Sequence, residues 1–214
     1  MLKVLGRATS ANVQLVMWAI AELGLEHQRE DVGGAFGGNT TAEFLAMNPN
    51  GLVPTVIDGD SEPMWESAAI VRFLACKYGD ETFWPRDPDH RVRLDKWAEW
   101  IKTSFAPVLI SRLFIQLIRT LPAEQDVDDI AKATEQLKTM ATMLEARIGD
   151  GPWLDGDRFT FGDIICGHVL YRYFTLDFER AETPLLLAYY QRLQERPAYR
   201  EHVMVSYEEL RAKA

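Results

Sequence analysis

Cysteine is nearly missing from this chain: Cys76 and Cys166 are the only two in 214 residues. They lie far apart, neither in a C-x-x-C pair nor in a Cys/His cluster, which argues against a disulfide framework and a zinc site. A reducing compartment, the cytoplasm, is the expectation. Positive charge is also short, with 23 Lys and Arg against 32 Asp and Glu and a net charge of −9. Nucleic-acid binders need clustered cations. Dividing the chain after Asp80 leaves 5 basic and 10 acidic residues before the cut and, by difference, 18 and 22 after it, so neither half is basic. The opening Met1-Leu2-Lys3-Val4-Leu5 runs into Gly6 without the apolar core of a signal peptide. The most apolar later stretch, Pro107 to Ile118, is broken by Arg112 and falls short of the ~20 residues that cross a bilayer. Neither a nucleic acid nor a membrane is expected as a partner, and no internal repeat or low-complexity segment is present.

What is present is enough apolar residue for a sizeable core, 47% of the chain, in two unlike patterns. Leu2 to Leu5 reads as a strand, and Val13, Val16, Ile20 and Leu23 recur at helical spacing up to Gly24. A weaker strand at His27 to Val32 precedes Gly33-Gly34-Ala35-Phe36-Gly37-Gly38-Asn39, which reads as a mobile loop. A short helix at Glu43 to Met47, strands at Thr55 to Ile57 and Pro63 to Trp65, and a helix at Ala68 to Tyr78 complete the order βαβαββα. Beyond a linker holding Pro85 and Pro88, everything reads as helix. Arg91 to Arg119 forms one long helix or a pair kinked at Pro107, and Ile130, Leu137, Met140, Ala141, Leu144 and Ile148 mark an amphipathic one. Thr160 and Asp163, flanked by Phe159 and Ile164, have the spacing of a capping box with its hydrophobic staple.

Three segments of the first half carry possible chemistry. Gly6-Arg7-Ala8-Thr9-Ser10-Ala11-Asn12 leads hydroxyls and an amide into a helix start, where oriented N–H groups favour negative charge. Asn48 to Val56 contains Val53-Pro54, a backbone edge open to an extended peptide. Glu66-Ser67 opens the last helix of this half and offers a second anion-binding terminus.

Taken together, these segments and the downstream capping box resemble the cytosolic glutathione S-transferases, specifically bacterial members of serine type similar to the theta and zeta classes. The resemblance covers nearly the whole chain. It implies an α+β thioredoxin-like domain at 1–80, an all-α domain at 88–214, glutathione as co-substrate, no metal, and a homodimer in which one subunit's first domain meets the other's second. It further implies that Ser67 holds the γ-glutamyl carboxylate, that Glu66 holds the amine, and that Val53, ahead of a cis Pro54, pairs with the cysteinyl unit. Asn39 is a weaker counterpart for the glycyl carboxylate. Ser10 stands where serine-type members donate a hydroxyl to the thiolate, and Asn12 is its rival. The cysteine of the beta class and the Ser-Ser-Cys run of the zeta class are both absent, so neither thiol exchange by the protein itself nor maleylacetoacetate isomerisation is supported.

The implied reaction is attack of glutathione thiolate on an electrophilic carbon, a peroxide or a disulfide. The alternative is a binding or regulatory protein of the same fold without turnover. Aromatic residues of the second half, Trp97, Trp100, Phe105, Phe114, Tyr171, Tyr173 and Phe174, read mainly as core, with a subset left to line an electrophile pocket. Together with the acidic net charge they lead to the expectation of a small hydrophobic electrophile, with anions disfavoured unless a local basic site around Arg112 or Arg172 intervenes.

Overall fold

The computed structural model describes residues 1–213. Strands β1 (Leu2–Leu5), β2 (His27–Glu30) and β3 (Thr55–Asp58) form one sheet in the order β2-β1-β3. β1 runs parallel to β2, with Leu5 beside Glu30, and antiparallel to β3, with Leu5 beside Thr55. The expected fourth strand contracts to Met64, which exchanges hydrogen bonds of 2.8 and 2.7 Å with Val56. Pro63 lacks a ladder N–H, and at Glu66 the chain turns away with φ +68°.

Helix α1 (Ala11–Glu22) buries Val13, Leu15, Val16, Trp18 and Ile20 completely. A helix covered on all sides shows little amphipathic pattern. It packs on α3 (Ser67–Tyr78) from its own half and on α6 (Phe161–Gly167) and α9 (Pro197–His202) from the other. Between them α2 (Ala42–Met47) is capped by Thr41, whose hydroxyl accepts from Phe44 N–H at 3.2 Å. The glycine-rich stretch forms a compact turn. Gly33 N–H donates to Gly37 C=O at 2.7 Å, and Gly34, at φ +62°, rests on Arg7 so closely that a Cβ there would lie 3.0 Å from Nε.

Helix α4 (Pro88–Trp100) opens with Asp87 accepting from Asp89 N–H at 3.1 Å. It continues into π-helical turns at Ile101–Phe105 and Pro107–Arg119, one unbroken helix from Pro88 to Arg119. Pro107 therefore does not divide it. The register widens upstream, at Ile101, and a wider turn relieves the clash of the pyrrolidine ring with the preceding carbonyl. The expectation that the apolar stretch is too short to cross a membrane also changes. The 32-residue helix is long and apolar enough by length and composition, and its buried face, Leu94, Ile101, Phe105, Leu109 and Leu113, is covered by protein.

Helix α5 (Val127–Ile148) packs Ala133, Leu137, Ala141 and Leu144 against that long helix. Helix α7 (Leu170–Thr175) follows α6, and α8 (Pro184–Glu195) precedes α9. The capping box is formed: Asp163 accepts from Thr160 N–H at 2.8 Å, and Gly162 N–H donates to Thr160 Oγ1 at 3.2 Å. Leu154 N–H and the Tyr189 hydroxyl also donate to Asp163, at 2.8 and 3.0 Å. The glycine after Phe161 has a packing reason, because a Cβ at Gly162 would meet Leu154 Cδ2 at 3.0 Å.

Candidate active site

Ser10 is the residue before α1, in extended conformation, and its side chain makes no capping bond. Its hydroxyl is uncommitted at the wall of a cavity of about 270 Å³ between the two halves. Gln14 N–H donates to Ser10 C=O at 2.9 Å, which leaves the first-turn N–H groups of α1 oriented toward this end.

Asn12 is otherwise engaged. Its Oδ1 accepts from Ser67 Oγ at 3.1 Å and from Lys102 Nζ at 2.6 Å, and Lys102 also donates to Ser67 Oγ at 3.1 Å. Two residues singled out in the sequence thus meet directly, and Lys102, which the sequence does not single out, bonds to both. Lys102 comes from the π-helical turn, and sequence spacing alone holds no signal for it. Burial lowers its pKa to about 8, against the pull of Glu66 and Glu99.

Glu66 is exposed and is the one non-glycine residue at positive φ among those described. Such a conformation costs ~1–3 kcal/mol and concentrates at functional sites. It seats Ser67, 3% exposed, at the first turn of α3. The Val53-Pro54 bond is cis, as the resemblance implies. Among the described residues the Val53 N–H and C=O have no backbone partner. Asn39 is turned inward, donating to Gly51 C=O at 2.7 Å.

The cavity's other wall comes from the second half. Arg172 in α7 is 2% exposed and donates to Gln14 Oε1 and Thr9 C=O, both at 2.9 Å, with Phe114 5.1 Å from its guanidinium. Burial brings its pKa down to about 10, which leaves it charged at neutral pH. His168 also lines the cavity. Its Nδ1 donates to Ile165 C=O at 2.7 Å, and burial, then nearby Lys102, holds its pKa well below the usual value, so the ring is neutral. Of the seven aromatic residues considered from sequence, only Phe114 lines this cavity. Arg112 lies outside it, paired with Asp129.

A small mixed sheet carrying helices, joined to a helical bundle with a cleft between them, defines the architecture of the two-part glutathione transferases. Family models of the glutathione S-transferase N-terminal and C-terminal domains match residues 9–76 and 127–192. Glutathione S-transferase GstB of Escherichia coli is 36% identical over 206 residues, covering 96% of this chain and 99% of its own. Glutathione S-transferase 3 of Zea mays is 31% identical, covering 94% and 93%. The theta-class glutathione S-transferase of Xanthomonas axonopodis pv. citri, solved with glutathione bound, superposes with a TM-score of 0.90 at 41% identity over 96% of this chain and 98% of that one. The chain belongs to the glutathione S-transferase family and is a glutathione transferase.

Proposed function

We propose that Ser10 donates its hydroxyl to the glutathione thiolate while Asn12, Ser67 and Lys102 form the seat of the γ-glutamyl end. The observation that carries this division is the Asn12–Ser67–Lys102 cluster, which engages Asn12 and leaves Ser10 uncommitted beside it. Ser67 and Lys102 would turn their donors to the γ-glutamyl carboxylate, and Glu66 would accept from the amine. The open backbone of Val53, ahead of Pro54, takes the cysteinyl unit, and Asn39 stands nearest the glycyl end in this reading.

The energetics suffice. Lowering a thiol pKa by about two units from ~8.5 requires ~2.7 kcal/mol of preferential thiolate stabilisation. A helix N-terminus supplies ~0.3–1 kcal/mol, up to ~2 in partly buried sites, and a hydrogen bond to a charged group ~1.5–3. A free thiol is already a few per cent ionised at neutral pH, so full ionisation accelerates attack only some tens of fold. Holding the electrophile against the sulfur supplies the rest.

Residues 1–80 would act as the glutathione-binding domain and 88–214 as the electrophile-binding domain, within a cytoplasmic homodimer. Retention on immobilised glutathione followed by glutathione-dependent consumption of 1-chloro-2,4-dinitrobenzene tests the reading. Retention without turnover would leave a binding protein.

A further inference from the structure

We propose that the electrophile taken by this site carries a carboxylate, held by Arg7, Arg119 and Arg172. The inference rests on the assignment of glutathione to the Ser10–Val53–Ser67 side of the cleft. It runs against the protein's overall charge of −9. Four cationic side chains line the cavity, these three and Lys102, and no Asp or Glu is among the lining residues. Within ion-pairing distance, none of the three arginines has a carboxylate partner among the described residues.

The donors are also unspent. Among the described residues, Arg7 Nε, Arg172 Nε and Thr9 Oγ1 are buried without a hydrogen-bond partner. Buried polar atoms are nearly always satisfied, so each orphan asks for an explanation. Arg7 and Arg119 are close enough for like-charge repulsion, and the acid that bears on Arg7, Glu209, is not among the lining residues. An incoming anion would relieve that repulsion and satisfy the free donors, and a guanidinium fork matches the two oxygens of a carboxylate. Arg172 is anchored to the Thr9 carbonyl, next to Ser10, so the anion's anchor adjoins the position given to the sulfur. Phe114 and Ile110 supply an apolar face for the body of the molecule.

The reaction is a substitution that balances without a further reactant. The thiolate sulfur forms a bond to the electrophilic carbon, the carbon–halogen bond breaks, and halide leaves with the bonding pair, the thiol proton having passed to solvent.

The test compares 4-chloro-3-nitrobenzoate with its neutral counterpart 4-chloro-3-nitrobenzamide, each kcat/KM divided by the rate of the uncatalysed reaction. The expected result is a preference for the benzoate of about tenfold, the effect of one hydrogen bond to a charged group. That preference should shrink with salt and fall by about tenfold in Arg119→Ala, a change at an exposed position that leaves the core intact. Arg7→Met, with its folding checked by circular dichroism, should reduce it likewise. Turnover of the benzamide with no preference for the benzoate overturns this inference and leaves the transferase reading standing. A preference that survives both substitutions also overturns the assignment. Failure to consume 1-chloro-2,4-dinitrobenzene as well would instead remove the transferase reading.

Discussion

Lys102 Nζ lies 2.6 Å from Asn12 Oδ1, so a side chain of the long helix in the second half completes a cluster that begins at the first helix of the chain. Arg172 does the same from α7, reaching the Thr9 carbonyl at 2.9 Å. These two cations bracket Ser10, and the site exists only where the halves meet.

Lys102 supplies a pH dependence. Its pKa is lowered to about 8, below the ordinary 10.5, so the cation that would hold the γ-glutamyl carboxylate is present below pH 8 and lost above it. Calorimetric titration with S-methylglutathione, which has no thiol to ionise, should show affinity nearly flat to about pH 7.5 and about fivefold weaker one unit above the pKa. Lys102→Met should bind roughly tenfold more weakly at pH 7 and lose the wild-type decline. Equal affinity of the two proteins at pH 7 would remove Lys102 from the site.

Ser67→Ala should weaken glutathione binding by about ten- to a hundredfold, the loss of a hydrogen bond to a charged group worth ~1.5–3 kcal/mol. Glu66→Ala should weaken it less, since Glu66 is exposed and solvent screens its charge. Thermal unfolding should change little in either variant. Unchanged affinity in well-folded Ser67→Ala protein would contradict the clamp.

Asp163 gives a stability prediction. Burial raises its pKa to about 6, with the bonds from Leu154, Thr160 and Tyr189 pulling the other way. A carboxyl whose folded pKa lies above its unfolded value takes up its proton earlier in the native state, so stability rises as pH falls through 6 toward 4. Between pH 7 and pH 5 the contribution is on the order of 1 kcal/mol. Urea unfolding of wild type and Asp163→Asn at both pH values should therefore show a larger gap at pH 5. A gap that is the same at both would mean that the hydrogen bonds dominate and the carboxylate titrates in its ordinary range.

Much of the fold was legible because it is written locally. The period of α1, the Thr160/Asp163 box and the switch from strand alternation to helical spacing after Gly79 each depend on near neighbours in sequence. The fourth strand was overread, because Pro63 and the turn at Glu66 leave room for only one bridging residue. Of the two readings of Arg91 to Arg119, the single long helix is the one formed, and its widened register from Ile101 lies outside any propensity rule. In the candidate site, Ser10, Asn12, Val53, Glu66 and Ser67 are proposed from local motifs, and Asn12 and Ser67 lie within hydrogen-bond distance of each other. The convergence of Lys102, Arg7, Arg119 and Arg172 on one cavity has no local signature, because it depends on how segments far apart in sequence pack. Total charge is silent for the same reason: a sum of −9 does not say where the arginines gather.

The division of labour between Ser10 and Asn12 is tested most directly by titrating the thiol of protein-bound glutathione through the ultraviolet absorbance of its thiolate. Wild-type protein should hold that thiol about two units below the ~8.5 of a free thiol. Ser10→Ala should return it upward by about one to two units, while Asn12→Ala should weaken binding and leave the midpoint where it was. A midpoint raised by Asn12→Ala and unmoved by Ser10→Ala would contradict the account and give the thiolate to Asn12.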